Sequence, residues 1–86
     1  MIFYVYIIYS SSYDKYYKGF SLNPFKRLEQ HNNKESRYTA NFTPWCLVYL
    51  EKFDLKSEAL KREKSLKKYA KKQILELLKS PKNILN

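Results

Sequence analysis

The chain has 86 residues, of which 17 are Lys or Arg and 8 are Asp or Glu, giving a formal net charge of +9. That length makes one domain and leaves no room for a second. The single cysteine, Cys46, excludes an intrachain disulfide and a cysteine-rich zinc site, and no apolar run approaches the ~20 residues that span a bilayer.

The basic excess is uneven. Residues 1–50 carry six Lys or Arg against three acids, and residues 51–86 carry eleven against five. Such a surplus favours polyanionic partners, chiefly nucleic acid, over a Lys-rich surface that serves solubility alone. The N-terminal residues are apolar but have neither a basic leader nor a small-residue cleavage site, so the chain is expected in the cytoplasm.

Residues 2–9 are β-branched or aromatic throughout, the pattern of a strand buried on both faces and therefore central. Residues 10–15 are polar and turn-like, and residues 16–20 form a second aromatic strand; the short link implies an antiparallel hairpin. A loop over residues 10–13 sets Tyr6 directly opposite Tyr17. Asn23-Pro24 is a helix start, with Asn as N-cap and Pro at the first helical position, and the helix is expected over residues 24–32. Residues 33–44 are polar and loop-like. Residues 45–53 return to a strand pattern, in which Cys46 beside Trp45 reads as buried. Ser57 caps a second helix with Ala59, Leu60, Leu66 and Tyr69 at helical spacing. A third, over residues 71–79, carries Ile74, Leu75, Leu77 and Leu78. The order β-β-α-β-α-α defines an α+β fold, a small three-stranded mixed or antiparallel sheet flanked by helices, over residues 1–80 with a C-terminal tail at 81–86.

Four features exceed this pattern. Tyr6 and Tyr17 share a sheet face, where two rings ordinarily just pack. Arg27 and His31, at i and i+4, share a helix face that should meet the sheet. A guanidinium and an imidazole there suit an anionic ligand: Arg offers forked hydrogen bonds to phosphate oxygens, and His titrates near neutral pH. Glu63 falls where the stripe Ala59, Leu60, Leu66 asks for an apolar residue. An inward carboxylate is costly unless paired or metal-bound. It suits Mg²⁺ or Mn²⁺, which take oxygen ligands and keep several waters, or an ion pair, for instance with Arg27. Phosphodiester hydrolysis needs these parts: a base for water, a metal carboxylate, and a cation for the developing charge.

These residues carry a resemblance. Tyr4-Val5-Tyr6 and Tyr17-Lys18-Gly19 stand where the GIY-YIG nuclease superfamily has its two tripeptides. The segment 24–32 with Arg27 and His31 is similar to the family's first helix. The runs Ser36-Arg37-Tyr38-Thr39, Pro44-Trp45, Leu47-Val48-Tyr49, and Glu58 to Lys64 followed by Leu66-Lys67-Lys68 resemble the small stand-alone members, themselves similar to the N-terminal domain of the C component of excinuclease ABC. The resemblance covers residues 3 to about 78. It implies a metal-dependent endonuclease acting on nucleic acid, DNA in the first instance, with one divalent ion, Mg²⁺ or Mn²⁺, on Glu63. It further implies Tyr6 or Tyr17 as the base that activates water, Arg27 on the scissile phosphate, and His31 in proton transfer or phosphate contact. The basic helical stretch supplies Lys61, Arg62, Lys64, Lys67 and Lys68 for the nucleic-acid backbone. A monomer without membrane attachment is expected. The alternative is a non-catalytic nucleic-acid-binding module that retains the fold. Lys18 and Phe20 depart from the family pattern; Lys18 is expected to point to the sheet's other face.

Overall fold

The structure is a computed structural model that describes residues 1–86. Strands β1 (Phe3–Ser10), β2 (Lys15–Ser21) and β3 (Cys46–Phe53) form one sheet of order β2-β1-β3. Both pairings are antiparallel, which resolves the mixed-or-antiparallel expectation. The expected order of elements is found, and the most apolar strand is the central one. Helix α1 (Pro24–Asn32) follows the hairpin, a short 3₁₀ turn (Thr39–Phe42) precedes β3, and α2 (Lys56–Leu66) and α3 (Lys71–Leu78) close the chain.

Alternation along β1 divides the core into two layers. Val5 and Ile7 pack with Tyr49 of β3 and with Ala59, Leu66, Ile74 and Leu77 of α2 and α3. Tyr6 and Ile8 face the other way, against Trp45 and Leu50, with Leu28 of α1 and Tyr17 of β2 alongside. Val5, Ile7 and Ile8 are fully buried. Each contributes about 1.5–3 kcal/mol of transfer free energy, which makes this central strand the framework on which both layers rest.

Several local expectations are corrected. The hairpin turn is Ser11 to Asp14, with Ser10 paired to Lys15. Asp14 adopts a left-handed backbone (φ 51°), a conformation Asp tolerates better than most residues, and it accepts a hydrogen bond from Tyr9 Oη at 2.9 Å and pairs with Lys71. The register therefore moves by two residues: Tyr6 faces Gly19, and Tyr17 faces Ile8. An even shift preserves faces, so the two tyrosines remain diagonal neighbours on one side. Cys46 is exposed, not buried, because the strand begins there at a sheet end. Ser57 lies inside α2 and caps nothing; Leu55 is the N-cap. Leu60 and Leu75 are exposed, since the buried stripes run Ala59 to Leu66 and Ile74 to Leu77. Lys18 pairs with Ile7 and so lies on the face away from Tyr6, as expected.

The C-terminal tail reaches β3 through Asn83 and Ile84. Asn83 is 3% exposed. Its side-chain amide donates to the Val48 and Leu78 carbonyls at 3.0 Å, and its oxygen accepts from the Leu50 and Leu85 amides at 3.1 and 3.2 Å. The Ile84 amide donates to the Leu50 carbonyl at 2.9 Å. These bonds occupy backbone groups on the outer edge of β3 that would otherwise stand open. Asn83 is thus spent on structure. Asn83→Ala is expected to lower stability by about 1–3 kcal/mol, because buried backbone groups lose their partners; urea denaturation monitored by tryptophan fluorescence checks it.

Candidate functional site

The site is assembled on the Tyr6 face. Asn23 caps α1 through Oδ1, which accepts from the Lys26 amide at 3.1 Å, and Pro24 opens the helix. This start fixes the helical phase, so that Pro24, Leu28 and His31 turn toward the sheet. His31 is completely buried and Tyr6 is 2% exposed. Tyr6 Oη lies 2.9 Å from His31 Nε2, and His31 Nδ1 lies 2.7 Å from Thr39 Oγ1. The Tyr17 ring meets the imidazole edge-on, with centroids 5.2 Å apart. Tyr17 is half-buried, so of the two phenol-bearing residues it is the more open to solvent.

Gly19 makes room for this arrangement. It is directly opposite Tyr6, and the Tyr6 ring lies across it. A β-carbon on Gly19 would fall on the phenol ring and its hydroxyl. The glycine is required by close approach, not by its backbone angles.

The loop after α1 is tied back to the helix. Asn32 Oδ1 accepts from the Trp45 amide at 2.6 Å, and Asn32 Nδ2 donates to the Trp45 carbonyl at 3.0 Å. The buried Trp45 indole donates to the Thr39 carbonyl at 2.8 Å. Helix end, strand start and 3₁₀ turn are thereby held around His31.

Electrostatics follow from burial. The Tyr6 hydroxyl is pushed up to about 12, first by burial and further by Tyr17 and Glu63; the positive charge of Arg27 and its hydrogen bonding to the phenol act in the opposite direction. His31 is held down to about 4 by burial and by Arg27. The imidazole is therefore neutral at physiological pH. Arg27 is half-buried, and its guanidinium donates to Gln30 Oε1 at 3.0 Å.

Tyr6, Tyr17, Arg27 and His31 thus meet on one face. Glu63 comes from the opposite layer. Its helix packs through Ala59 and Leu66 on the Val5 side, and it lies against both β1 and β2. The charge of Glu63 nevertheless acts on the Tyr6 phenol. Glu63 Oε2 stands 3.9 Å from Lys67 Nζ, and its side chain is 20% exposed. Its ion pair is with Lys67, not Arg27. No three His, Cys, Asp or Glu side chains gather into a closed metal cage anywhere in the fold. A lone, partly open carboxylate fits the Mg²⁺ pattern, in which one or two carboxylates suffice and waters and phosphate complete the shell.

Arg62 is committed elsewhere. Its Nε donates to Glu51 Oε1 at 3.0 Å, and the guanidinium lies over the Tyr69 ring. Glu51 also accepts from Tyr49 Oη at 2.5 Å. Burial opposes the charge on Arg62, but together its hydrogen bonds and Glu51 outweigh it and raise the guanidinium above its ordinary value. Lys61, Lys64, Lys67 and Lys68 are exposed.

Sequence reasoning misses three contributors. Thr39 and Gly19 read only as members of short runs that carry the resemblance, with no role attached, and Gln30 is an ordinary helix-surface residue by pattern.

A small antiparallel sheet with two tyrosines on one face, a helix-borne Arg and His beside them, and a glutamate whose charge reaches Tyr6 defines the class of protein. Residues 2–76 match the GIY-YIG catalytic domain, and the chain belongs to that family. It is 40% identical over 76 residues to the UPF0213 protein SSP2268 of Staphylococcus saprophyticus, an alignment covering 87% of this chain and 92% of that one. It is 39% identical over 77 residues to the UPF0213 protein SA0446 of Staphylococcus aureus, covering 88% and 93%. The solution NMR structure of the UPF0213 protein BH0048 from Bacillus halodurans superimposes with a TM-score of 0.60 at 26% identity, covering 95% of this chain and 87% of that one. The chain is a small GIY-YIG protein with the family's α+β fold. No helix is long and apolar enough to cross a membrane.

Proposed function

We propose that this protein is a metal-dependent endonuclease that hydrolyses phosphodiester bonds in nucleic acid, with DNA as the expected substrate. The observation that supports it most is the convergence of Tyr6, Tyr17, Arg27 and His31 on one sheet face, with the charge of Glu63 reaching the same phenol. Glu63 would hold one Mg²⁺ or Mn²⁺; when bound, such an ion supplies Lewis-acid stabilisation of the charge that develops on the phosphate.

The rest is the work of this chain's own residues. Arg27 meets the scissile phosphate and offsets negative charge in the transition state. A phenol with a high pKa is a poor base alone. Tyr6, however, has an imidazole nitrogen behind its hydroxyl, so it can take a proton from the attacking water while passing its own to His31 Nε2. Water oxygen bonds to phosphorus, one P–O ester bond breaks, and the departing oxygen leaves with the electron pair. Arg27 is one of the two causes that hold His31 low. A phosphate on Arg27 offsets that charge and raises the proton affinity of the imidazole when substrate is present. Tyr17, half-buried beside His31, is the alternative base and, in this reading, borders the substrate.

Lys61, Lys64, Lys67 and Lys68 supply backbone contacts, with Arg62 withdrawn to Glu51. Tyr38, half exposed, and Phe42, whose ring lies tilted beside it with centroids 5.2 Å apart, offer aromatic contact near Tyr17. Trp45 is 3% exposed and belongs to the core. The protein acts as a cytoplasmic monomer in this reading.

A second reading, a nucleic-acid-binding module without catalysis, is favoured by one observation: Tyr6 and His31 are both sealed from solvent. Incubation with single- and double-stranded DNA and RNA, with Mg²⁺, Mn²⁺ or chelator, separates the two. Metal-dependent cleavage is expected, reduced by ~10²–10⁴ in Glu63→Ala and in Tyr6→Phe. Salt-sensitive binding without product, unchanged in Glu63→Ala, would establish the binding module instead.

A further inference from the structure

The hydrogen bonds around His31 have a direction, set by the few protons they share. Tyr6 Oη has one proton, neutral His31 has one ring proton, and Thr39 Oγ1 has one. Their contacts form a single file: Tyr6 Oη to His31 Nε2 at 2.9 Å, His31 Nδ1 to Thr39 Oγ1 at 2.7 Å, and Thr39 Oγ1 to the Ser36 carbonyl at 3.4 Å.

The last of these fixes the sense. A carbonyl only accepts, so Thr39 donates to Ser36. Thr39 then accepts from His31 Nδ1–H, Nε2 is left as a bare lone pair, and Tyr6 donates to it. Every proton has an acceptor. Reversing the file has Thr39 donate to Nδ1 and Nε2–H donate to Tyr6. The Tyr6 hydroxyl proton then has no acceptor, since His31 is its only hydrogen-bond partner other than the purely donating Arg27. Stranding a hydroxyl proton at a 2%-exposed side chain leaves a buried donor to bear its full desolvation penalty. The Ser36 carbonyl does not need the reversed sense, because the Ala40 amide already donates to it at 2.9 Å.

We propose that Thr39 is a positioning residue that holds His31 in its Nδ1–H tautomer, leaving Nε2 as the acceptor for the Tyr6 hydroxyl proton. This deepens the nuclease reading and rests on it for its consequence, but not for its geometry. Thr39 is fixed for the task. It is fully buried, and the Trp45 indole holds its carbonyl while Asn32, the neighbour of His31 in α1, holds the Trp45 backbone. The imidazole and the hydroxyl that orients it thus belong to one closed set of contacts. The arrangement parallels the orienting partner that a catalytic or metal-bound imidazole commonly has on its second nitrogen.

His31 is the only histidine in the chain, so ¹⁵N-labelled histidine gives one pair of ring-nitrogen resonances in NMR. In the native protein at neutral pH, Nδ1 is expected to be protonated and Nε2 bare. Thr39→Val removes the acceptor at nearly constant volume and is expected to move the pair toward the other tautomer; Thr39→Ser restores the native pattern. Should Thr39→Val not fold, Thr39→Ala takes its place with the same expectation. In the cleavage assay with Mg²⁺, Thr39→Val is expected to lose about 10–100-fold, less than loss of the proton-transfer group itself, with Thr39→Ser close to native. A native protein with Nε2 protonated overturns the proposal, and so does a Thr39→Val protein that keeps the native tautomer. If the native protein cuts nothing, the nuclease reading fails while the tautomer measurement still decides the role of Thr39.

Discussion

Gly19→Ala is expected to disable the site and destabilise the fold together, although it adds a single methyl group. The new carbon would occupy the position of the Tyr6 phenol. Neither partner can move freely. Gly19 is paired into the hairpin opposite Tyr6, and Tyr6 is held from the other side by His31. One outcome is displacement of β2, which costs about 1–3 kcal/mol for overpacking. The other is rotation of Tyr6 away from His31, which leaves a buried hydroxyl and a buried imidazole nitrogen without partners at about 1–3 kcal/mol. Either way the Tyr6–His31 geometry is lost, and a misplacement near 1 Å can cost about 10²-fold in rate. Urea denaturation together with metal-dependent cleavage measures both effects. Lys18→Ala is the control: it lies on the opposite face of the same strand and should leave cleavage within a few-fold of native. Native stability and native cleavage in Gly19→Ala would mean that Tyr6 does not lie across this glycine.

The architecture is legible in the sequence where one physical rule governs each segment. A strand with no polar alternation must be buried on both sides, and β1 is central. Asn23-Pro24 has few uses other than starting a helix, and α1 begins there. What periodicity does not supply is register and depth. The hairpin loop turns on whether Asp14 belongs to the strand or the turn; its left-handed backbone and its bond to Tyr9 are joined by a contact with Lys71, a tertiary neighbour 57 residues away. The error of two residues leaves the faces intact, which is why Tyr6 and Tyr17 still meet on one side. Arg62 and Lys64 look alike in sequence, yet only the first meets a buried-side carboxylate, Glu51, contributed by β3. Thr39 escapes because nothing in a polar loop marks one threonine as the partner of an imidazole eight residues earlier. Glu63 stands out because an acid breaks an apolar stripe, and it does lie between Ala59 and Leu66 on the inward side of α2. Its layer, however, is set by the sheet's two-sided packing, which no helix-local pattern encodes.

His31 also makes the fold acid-sensitive in a particular window. In the unfolded chain an imidazole titrates near 6.5; in the native protein burial, reinforced by Arg27, holds it down to about 4. As pH falls below about 6.5 the unfolded state takes up a proton that the folded state refuses, so stability declines with pH. The decline ends near pH 4, where the folded state is protonated too. The difference between the two values corresponds to about 3 kcal/mol, a large share of the stability of a domain this small. His31→Gln keeps hydrogen-bonding capacity at the site but removes the titration. Urea midpoints measured between pH 7 and pH 4 should therefore fall more steeply for the native protein than for His31→Gln, the carboxylates contributing equally to both. On the proposed nuclease reading, the same depression is expected to set the acid limb of cleavage. With Nε2 as the proton acceptor, kcat/KM should hold down to well below pH 6 and fall toward pH 4, where a solvated histidine would already have failed near 6.5. Parallel stability profiles for the two proteins would show that the imidazole titrates as in water, and the sealed Tyr6–His31–Thr39 file could not then be intact.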